Sequence, residues 1–168
     1  MKHENSALRA IERSDLPLIQ KWRNGEGVLP FVREYRLLSE SHVEKWYDSI
    51  ISDDKFEFFI IEDEEEKPIG VSGLTYIDWV NKNADLHLAI YEHEWIDAVY
   101  APEVLQTLSD YAFNHLNLHR LYAEVYEIDY KKIDFFLKFG FQRDGVLRDH
   151  YYHNGSYFDS HIYSIIKS

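Results

Sequence analysis

Apolar positions in residues 84–141 change their spacing along the chain, and the changes predict alternating strands and helices. Between Val104 and Leu116 the apolar residues recur at the spacing of one helix face. The following stretch, 121–126, is short and rich in branched and aromatic residues, as a strand should be. A shorter helix then ends at residues 139–141. Together with a strand before the first of these helices, the pattern predicts a βαβα unit.

The same kind of pattern predicts seven strands in the whole chain. A charged turn at 63–67 joins two of them, and Asn154-Gly155 between two apolar-rich runs is the strongest short-range signal for a hairpin. The predicted strands are, in chain order, 7–11, 56–62, 68–76, 84–91, 121–126, 147–153 and 157–166. We therefore predict one domain over 1–168 of class α/β (α+β), with a mixed, mostly antiparallel seven-stranded sheet and helices on both faces.

Two helices are predicted in the first half of the chain from the residues at which they start. Ser14 supplies a capping hydroxyl, and Pro17 suits the first turn of a helix. Ser41 followed by Glu44 three residues later is typical of a capping box, which predicts the start of a second helix. Both helices carry an apolar stripe.

Composition and charge exclude several classes of function. The chain has 168 residues, no cysteine and a formal net charge of −12. Without thiols it forms no disulfide, zinc–thiolate site or cysteine nucleophile, and we expect it in the cytoplasm. The negative charge argues against nucleic acid, because duplex binding gains affinity from Lys and Arg that neutralise phosphates. The sequence contains no apolar run of about 18 residues, so it does not indicate a membrane segment. An acidic surface instead favours a cationic or amine-bearing partner.

Four groups of residues in the second half of the chain carry a family resemblance when they are taken together. They are Asp-Tyr-Ala-Phe at 110–113, Leu-Asn-Leu-His-Arg-Leu at 116–121, Ala-Glu-Val at 123–125 and Lys-Phe-Gly-Phe-Gln-Arg-Asp-Gly-Val-Leu-Arg at 138–148. This arrangement resembles the acetyl-CoA-binding half of the GNAT N-acetyltransferases. It is most similar to the RimJ/RimL-like branch, which modifies ribosomal-protein termini, polyamines and amino sugars. The resemblance implies transfer of an acetyl group from acetyl-CoA to a primary amine of a small molecule, an amino sugar or a peptide terminus.

The resemblance also implies where acetyl-CoA lies as co-substrate. Strands four and five of the predicted GNAT sheet would splay apart, so that the pantetheine arm enters the gap and bonds to backbone amides of strand four. The loop before the third helix would face the pyrophosphate, and two positions of the fourth helix would face the arm. The implied cofactor-binding residues are Ala89, Ile90, Tyr91, Ala98, Val99, Tyr100, Ala101, Asp129 and Phe136.

The chain departs from the family pattern at this implied cofactor site. Residues 96–102, before the third helix, contain no glycine, although glycine allows the close backbone approach that a phosphate needs. Asp129 and Phe136 stand where the family often has an Asn and a Tyr, and Phe has no proton to give to a leaving thiolate. These departures define a second hypothesis, a catalytically impaired GNAT-fold module for binding or regulation, with weak or no CoA binding.

Candidate catalytic groups follow from direct attack of an unprotonated amine on the thioester. Glu124 on the fifth strand and Glu92 at the end of the fourth are candidates to take a proton from the amine, and a solvated strand carboxylate is the alternative for each. Tyr130, at the start of the fourth helix, is the candidate acid, and a surface aromatic is its alternative. His87 is more simply a histidine on a face of the sheet.

The candidates for the acceptor pocket are Trp22, Asn24 and Glu92, and the Trp-Arg-Asn triplet at 22–24 resembles one in amino-sugar acetyltransferases. An ordinary helix end with a core Trp is the alternative. No metal is implied, since His115 and His119 have the spacing of ligands on a helix but no third ligand. The resembled branch often pairs through its late strands, so we also consider a homodimer.

Overall fold

The computed structural model describes residues 1–26, 28, 36–92 and 99–167. The strands within them are β1 (Ala7–Ala10), β2 (Glu57–Glu62), β3 (Pro68–Asp78), β4 (Asn83–Ile90), β5 (Arg120–Tyr126), β6 (Gln142–His153) and β7 (Ser156–Ile166). The α-helices are α1 (Leu16–Arg23), α2 (Glu40–Ile51), α3 (Tyr100–Asp110) and α4 (Tyr130–Phe139). No helix in this part of the chain is long and apolar enough to cross a membrane.

The strands form one sheet in the order β1-β2-β3-β4-β5-β7-β6, and neighbours are antiparallel except for β4 and β5. These two strands are parallel and pair at only three positions, 83–85 with 120–122. Beyond these pairs β4 and β5 diverge. The mixed, mostly antiparallel sheet and its splayed fourth and fifth strands are therefore confirmed.

Two apolar clusters lie on opposite faces of the sheet. Ile60 and Ile61 are neighbours on β2 but belong to different clusters, because successive side chains of a strand point to opposite faces. Trp22 and Val43 bring α1 and α2 into the cluster that contains Ile60. Helices α3 and α4 pack in the cluster that contains Ile61, with Phe136 as the buried residue of α4. Helices on both faces are thus confirmed.

The helix starts differ from those predicted. A 3₁₀ turn at Arg13–Asp15 precedes α1, and its capping box joins Glu12 and Asp15 rather than using Ser14. Helix α2 begins at Glu40, one residue before the predicted cap. Its capping box runs from Ser39 to His42, whose Nδ1 accepts the Ser39 N–H at 3.1 Å. The imidazole of His42 therefore has the capping role that the prediction assigned to Glu44.

Backbone pairing extends two strands beyond their apolar patterns. Strand β6 begins at Gln142, five residues before the predicted start, because β7 supplies partners for polar residues that are themselves exposed. Strand β3 continues to Asp78 past a left-handed residue, Tyr76, with φ of 51°. The hairpin signal at Asn154 and Gly155 is confirmed, since both residues have positive φ, 47° and 86°.

Candidate active site

The peptide groups at the end of β4 divide between its two sides. The amide of Tyr91 donates to the carbonyl of Ile69, next to β3, at 2.8 Å. Because successive peptide groups in a strand point in opposite directions, those of Ala89 and Tyr91 face β3 and that of Ile90 faces the gap towards β5. Of the three amides implied as pantetheine contacts, that of Ile90 is therefore the one directed into the gap.

The start of α3 has backbone amides that could bind a pyrophosphate, but few other groups there favour an anion. Ala98 lies outside the described residues, Val99 precedes the helix without a side-chain cap, and Ala101 is buried. The hydroxyl of Tyr100 donates to Oε2 of Glu64 at 2.8 Å, and this bond is the main reason why the pKa of Tyr100 rises to about 12. The acidic turn between β2 and β3 therefore lies against the start of α3.

A second carboxylate belongs to the first turn of α3 itself. Glu103 accepts hydrogen bonds from the backbone and side-chain nitrogens of Asn5, at 2.9 and 2.7 Å, and from the hydroxyl of Ser6 at 2.9 Å. These bonds, acting against burial, keep the pKa of Glu103 below its ordinary value. Glu103 thus stays charged, and together with Glu64 it offsets the partial positive charge of the helix start.

The residues implied on α4 have structural contacts. Asp129 caps the helix, because its side chain accepts the Lys132 N–H at 3.1 Å. Phe136 is 1% exposed, and its ring centroid lies 4.8 Å from that of Phe141. Tyr130 is 70% exposed at the start of the helix. The predicted acid is therefore mostly in solvent.

Glu124 lies on the sheet face opposite to the apolar side chains of β5. Its neighbours Ala123 and Val125 are buried in the cluster of α3 and α4, so Glu124 points to the other face. His150 Nδ1 lies 3.1 Å from its Oε1 and 3.4 Å from the hydroxyl of Ser160. A carboxylate and an imidazole are therefore paired on the face that α1 and α2 also occupy.

Two of the predicted acceptor residues hold the walls of this face together. Trp22 is 5% exposed, its Nε1 donates to Oε1 of Glu92 at 2.6 Å, and its ring stacks on Tyr91 at 5.1 Å. Asn24 bonds to the backbone of Leu38 twice, donating to the carbonyl at 2.9 Å and accepting from the amide at 2.8 Å. Trp22 and Asn24 are therefore positioning residues of α1.

A cavity of about 320 Å³ lies between α1, α2 and the sheet. Its polar lining comes from Arg23, Arg36, His42 and His87, and Tyr91 is among its apolar and aromatic lining residues. None of the predicted acceptor residues lines it, but Trp22 and Asn24 flank Arg23 and Glu92 follows Tyr91. Sequence reasoning missed these lining residues, although Arg23 follows Ile19 by one helical turn and His87 alternates with buried residues of β4.

Burial and nearby cations control the charge of two side chains in this cavity, His87 of β4 and Tyr91 just after the strand. Burial, followed by the charges of Lys132 and Arg23, lowers the pKa of His87 to about 4, so the imidazole is neutral at physiological pH. Burial also raises the pKa of Tyr91, which Arg23 partly opposes. Lys132 belongs to α4, so a charge from that helix acts on His87 in addition to the charge of Arg23.

The fold and this site define a class of enzyme. The model of the acetyltransferase (GNAT) domain matches residues 8–162, so the chain belongs to the GNAT acetyltransferase family. Enzymes of this family use acetyl-CoA as co-substrate, and the chain is an acetyltransferase of this family.

Particular relatives act on, or bind, polyamines. The chain is 29% identical over 162 residues to spermidine N(1)-acetyltransferase of Vibrio cholerae serotype O1, covering 96% of this chain and 92% of the relative. A crystal structure of spermidine N-acetyltransferase from Vibrio cholerae in complex with CoA and spermine has a TM-score of 0.89, with 28% identity and coverage of 96% and 95%. A dodecameric structure of spermidine N-acetyltransferase from that organism, in an intermediate state, has a TM-score of 0.83, with 27% identity and coverage of 96% and 93%.

Proposed function

We propose that acetyl-CoA enters the gap between β4 and β5 and that the acceptor amine binds in the cavity between α1, α2 and the sheet, in the cytoplasm. The observation that carries this proposal is that β4 serves both sites. Its Ile90 peptide group faces the gap, whereas its His87 side chain and the adjacent Tyr91 line the cavity. An amine in the cavity therefore lies beside the strand that would hold the thioester.

The reaction requires little covalent chemistry from the protein. The unprotonated amine attacks the thioester carbonyl, and the tetrahedral intermediate collapses to the amide and the thiolate of CoA. An amide such as that of Ile90 is suited to stabilise the oxyanion. Glu124, paired with His150, is the proposed proton acceptor on the cavity face of the sheet. A thiol has a pKa of about 8.5, so the thiolate leaves near neutral pH without an acid at Phe136.

One observation favours a second candidate, a GNAT-fold module with weak CoA affinity. Glu64 and Glu103 lie at the start of α3, where the family resemblance places the pyrophosphate. Within a Debye length, about 8 Å at physiological salt, these carboxylates oppose the phosphates. Loss of affinity for the cofactor would leave a domain that binds a ligand in the cavity without acetylating it.

The deciding experiment measures cofactor binding and turnover separately. Acetyl-CoA at 100 times its dissociation constant should stabilise the chain by about 2.7 kcal/mol, which a thermal shift detects. Release of CoA from acetyl-CoA is followed with a thiol reagent, and the chain itself contributes no thiol because it lacks cysteine. Spermidine and a panel of other primary amines serve as acceptors. Binding and turnover support the enzyme. No thermal shift at millimolar acetyl-CoA contradicts the proposed cofactor site and supports the module, and binding without turnover on any amine contradicts the proposed acetyl transfer.

A homodimer stays a prediction. Leu147, Tyr152 and Tyr157 are exposed on the hairpin of β6 and β7, which forms one edge of the sheet and suits contact with a second copy. Light scattering of the purified chain at several concentrations measures its mass. Replacing Tyr157 by Ser should shift the mass towards that of one chain if these residues are the contact.

A further inference from the structure

We propose that the acceptor amine of this chain also carries an anionic group, a carboxylate or a phosphate, which Arg23 binds in the cavity between α1, α2 and the sheet. The inference rests on the proposed function, since it assigns a chemical class to the acceptor of that site. It differs from the chemistry of those relatives whose names specify spermidine, a polycation.

The first observation concerns the guanidinium of Arg23. Its Nη1 is buried and has no hydrogen-bond partner among the described residues. A guanidinium has five N–H donors and no acceptor, and a buried donor without a partner is unfavourable. Arg23 also lines the cavity and acts electrostatically on both His87 and Tyr91 across it. An oxyanion in the cavity would supply the hydrogen-bond acceptor that Nη1 lacks.

The second observation concerns the charges around the cavity. Its described lining contains the guanidiniums of Arg23 and Arg36 and the imidazoles of His42 and His87, but no carboxylate. Lys132 also acts on His87, and the carboxylates of Asp129 and Asp85 act on Lys132 in turn. Since His87 is neutral at physiological pH, the positive charge of this lining comes from Arg23 and Arg36. It is a local reversal of the net charge of −12 of the whole chain.

The local charge matters for the choice of acceptor. A ligand with several ammonium groups would bring each of them towards guanidinium groups in a partly desolvated site, where like charges repel more strongly than in water. A carboxylate or phosphate instead pairs with a guanidinium through two parallel hydrogen bonds. Glu92, next to Tyr91, is already bonded to the indole of Trp22 and is not among the lining residues. Asp85, two residues before His87 on β4, is not among them either.

The test compares acceptors that differ by one anionic group. Lysine and 1,5-diaminopentane differ by a carboxylate, and glucosamine 6-phosphate and glucosamine differ by a phosphate, so the two pairs distinguish the two sources of charge. We expect kcat/KM for the anionic member of at least one pair to exceed that of its partner by about tenfold or more, as for a charge-assisted hydrogen-bonded pair.

Substitutions of Arg23 assign this preference to one side chain. Arg23→Gln removes the charge, so the ratio within the preferred pair should fall towards one, mainly through KM of the anionic acceptor. Arg23→Lys keeps the charge without the planar fork and should retain part of the ratio. Arg13→Gln is the matched control, because Arg13 is an exposed arginine that pairs with Asp48 away from the cavity lining, and its ratio should equal that of the wild type.

The outcomes separate this inference from the proposed function. If the uncharged member of each pair, or spermidine, is acetylated better than every anionic amine, the proposed function stands and the inference is wrong. A preference that survives Arg23→Gln, in a variant with unchanged circular dichroism and melting temperature, also overturns it. If acetyl-CoA neither binds nor reacts with any amine, the proposed function fails and the inference fails with it.

Discussion

The indole nitrogen of Trp22 and the carboxylate of Glu92 are joined by a hydrogen bond of 2.6 Å across 70 positions of the chain. The bond fastens the last turn of α1 to the end of β4. Since the Trp22 ring also stacks on Tyr91, the helix that carries Arg23 and the strand that borders the gap keep a fixed relation. Arg23 and Tyr91, which line the cavity, are the chain neighbours of these two bonded residues.

Glu92→Leu should therefore destabilise the chain by about 1–3 kcal/mol, because it leaves the buried indole N–H without an acceptor. Glu92→Gln keeps an oxygen acceptor and should cost less than half as much. Urea unfolding of both variants measures the difference. Equal losses in the two variants would mean that the charge of Glu92, rather than its hydrogen bond, supports the structure.

Gly70→Ala should disturb the pairing of β3 with β4. A Cβ at this position would lie 2.3 Å from the carbonyl oxygen of Ala89 and 3.0 Å from Cα of Ile90, so the strands have to move apart. We expect a loss of about 1–3 kcal/mol in the free energy of unfolding and weaker binding of acetyl-CoA. Gly145→Ala is the control, because no heavy atom lies within 4 Å of its added carbon, and its effect should stay within about 0.5 kcal/mol.

The stability of the chain should depend on pH through His87. Its pKa is about 4 in the folded chain against an ordinary value of 6.5, because burial and the cations Lys132 and Arg23 disfavour the imidazolium. Between these values the unfolded chain binds the extra proton, so the contribution of His87 is full above about pH 6.5 and is lost as the pH falls towards 4. The loss amounts to at most about 3 kcal/mol.

Unfolding free energies at pH 7 and pH 4.5 test this dependence. In His87→Gln the imidazole is absent, so the drop between the two pH values should be smaller than in the wild type. A drop of the same size in both proteins would assign the acid sensitivity to other groups.

Asn24→Asp should loosen the segment that carries Arg36 and Leu38. The substitution removes the amide that donates to the Leu38 carbonyl and places an anionic oxygen beside that carbonyl. We expect a loss of about 1–3 kcal/mol in the free energy of unfolding. We also expect a higher KM for the acceptor amine, because Arg36 and Leu38 line the cavity. Asn114→Asp makes the same change on an exposed residue after α3 and should leave both quantities near those of the wild type.

Glu64→Gln should strengthen the binding of acetyl-CoA. It removes a negative charge at the start of α3 but keeps an oxygen that accepts the hydroxyl of Tyr100. The dissociation constant from calorimetry should fall by about twofold or more. Glu66→Gln changes the same charge in the same turn at a residue that pairs with Lys2 instead, and it should have the smaller effect.

The sheet could be predicted because its strands carry local signals. The Asn154-Gly155 turn needs positive φ at two residues that adopt it readily, and the apolar pattern of β5 needs no distant information. The start of α2 could not be predicted in the same way. A histidine at the third position of a helix is not part of the usual capping pattern, so the bond from Ser39 to His42 is visible only in coordinates.

The cavity was harder to predict because its residues come from separate elements. Sequence spacing places Trp22, Arg23 and Asn24 at one helix end but does not decide which of them reaches the cavity and which hold its walls. That division follows from contacts with Glu92 and Leu38, far along the chain. Likewise, alternation on β4 separates His87 from its buried neighbours, but only the packing of α1 and α2 encloses a cavity on its face.

The short parallel junction between β4 and β5 divides the sheet into two leaves, β1–β4 and β5–β7, that share three residue pairs. A cofactor arm bonded along the free edge of β4 would occupy the place that further strand pairing takes in an ordinary sheet. Its arrival would then fix the angle between the leaves, and with it the distance from the cavity to Glu124. The enzyme should accordingly favour an ordered sequence of binding, in which the acetyl donor precedes the amine.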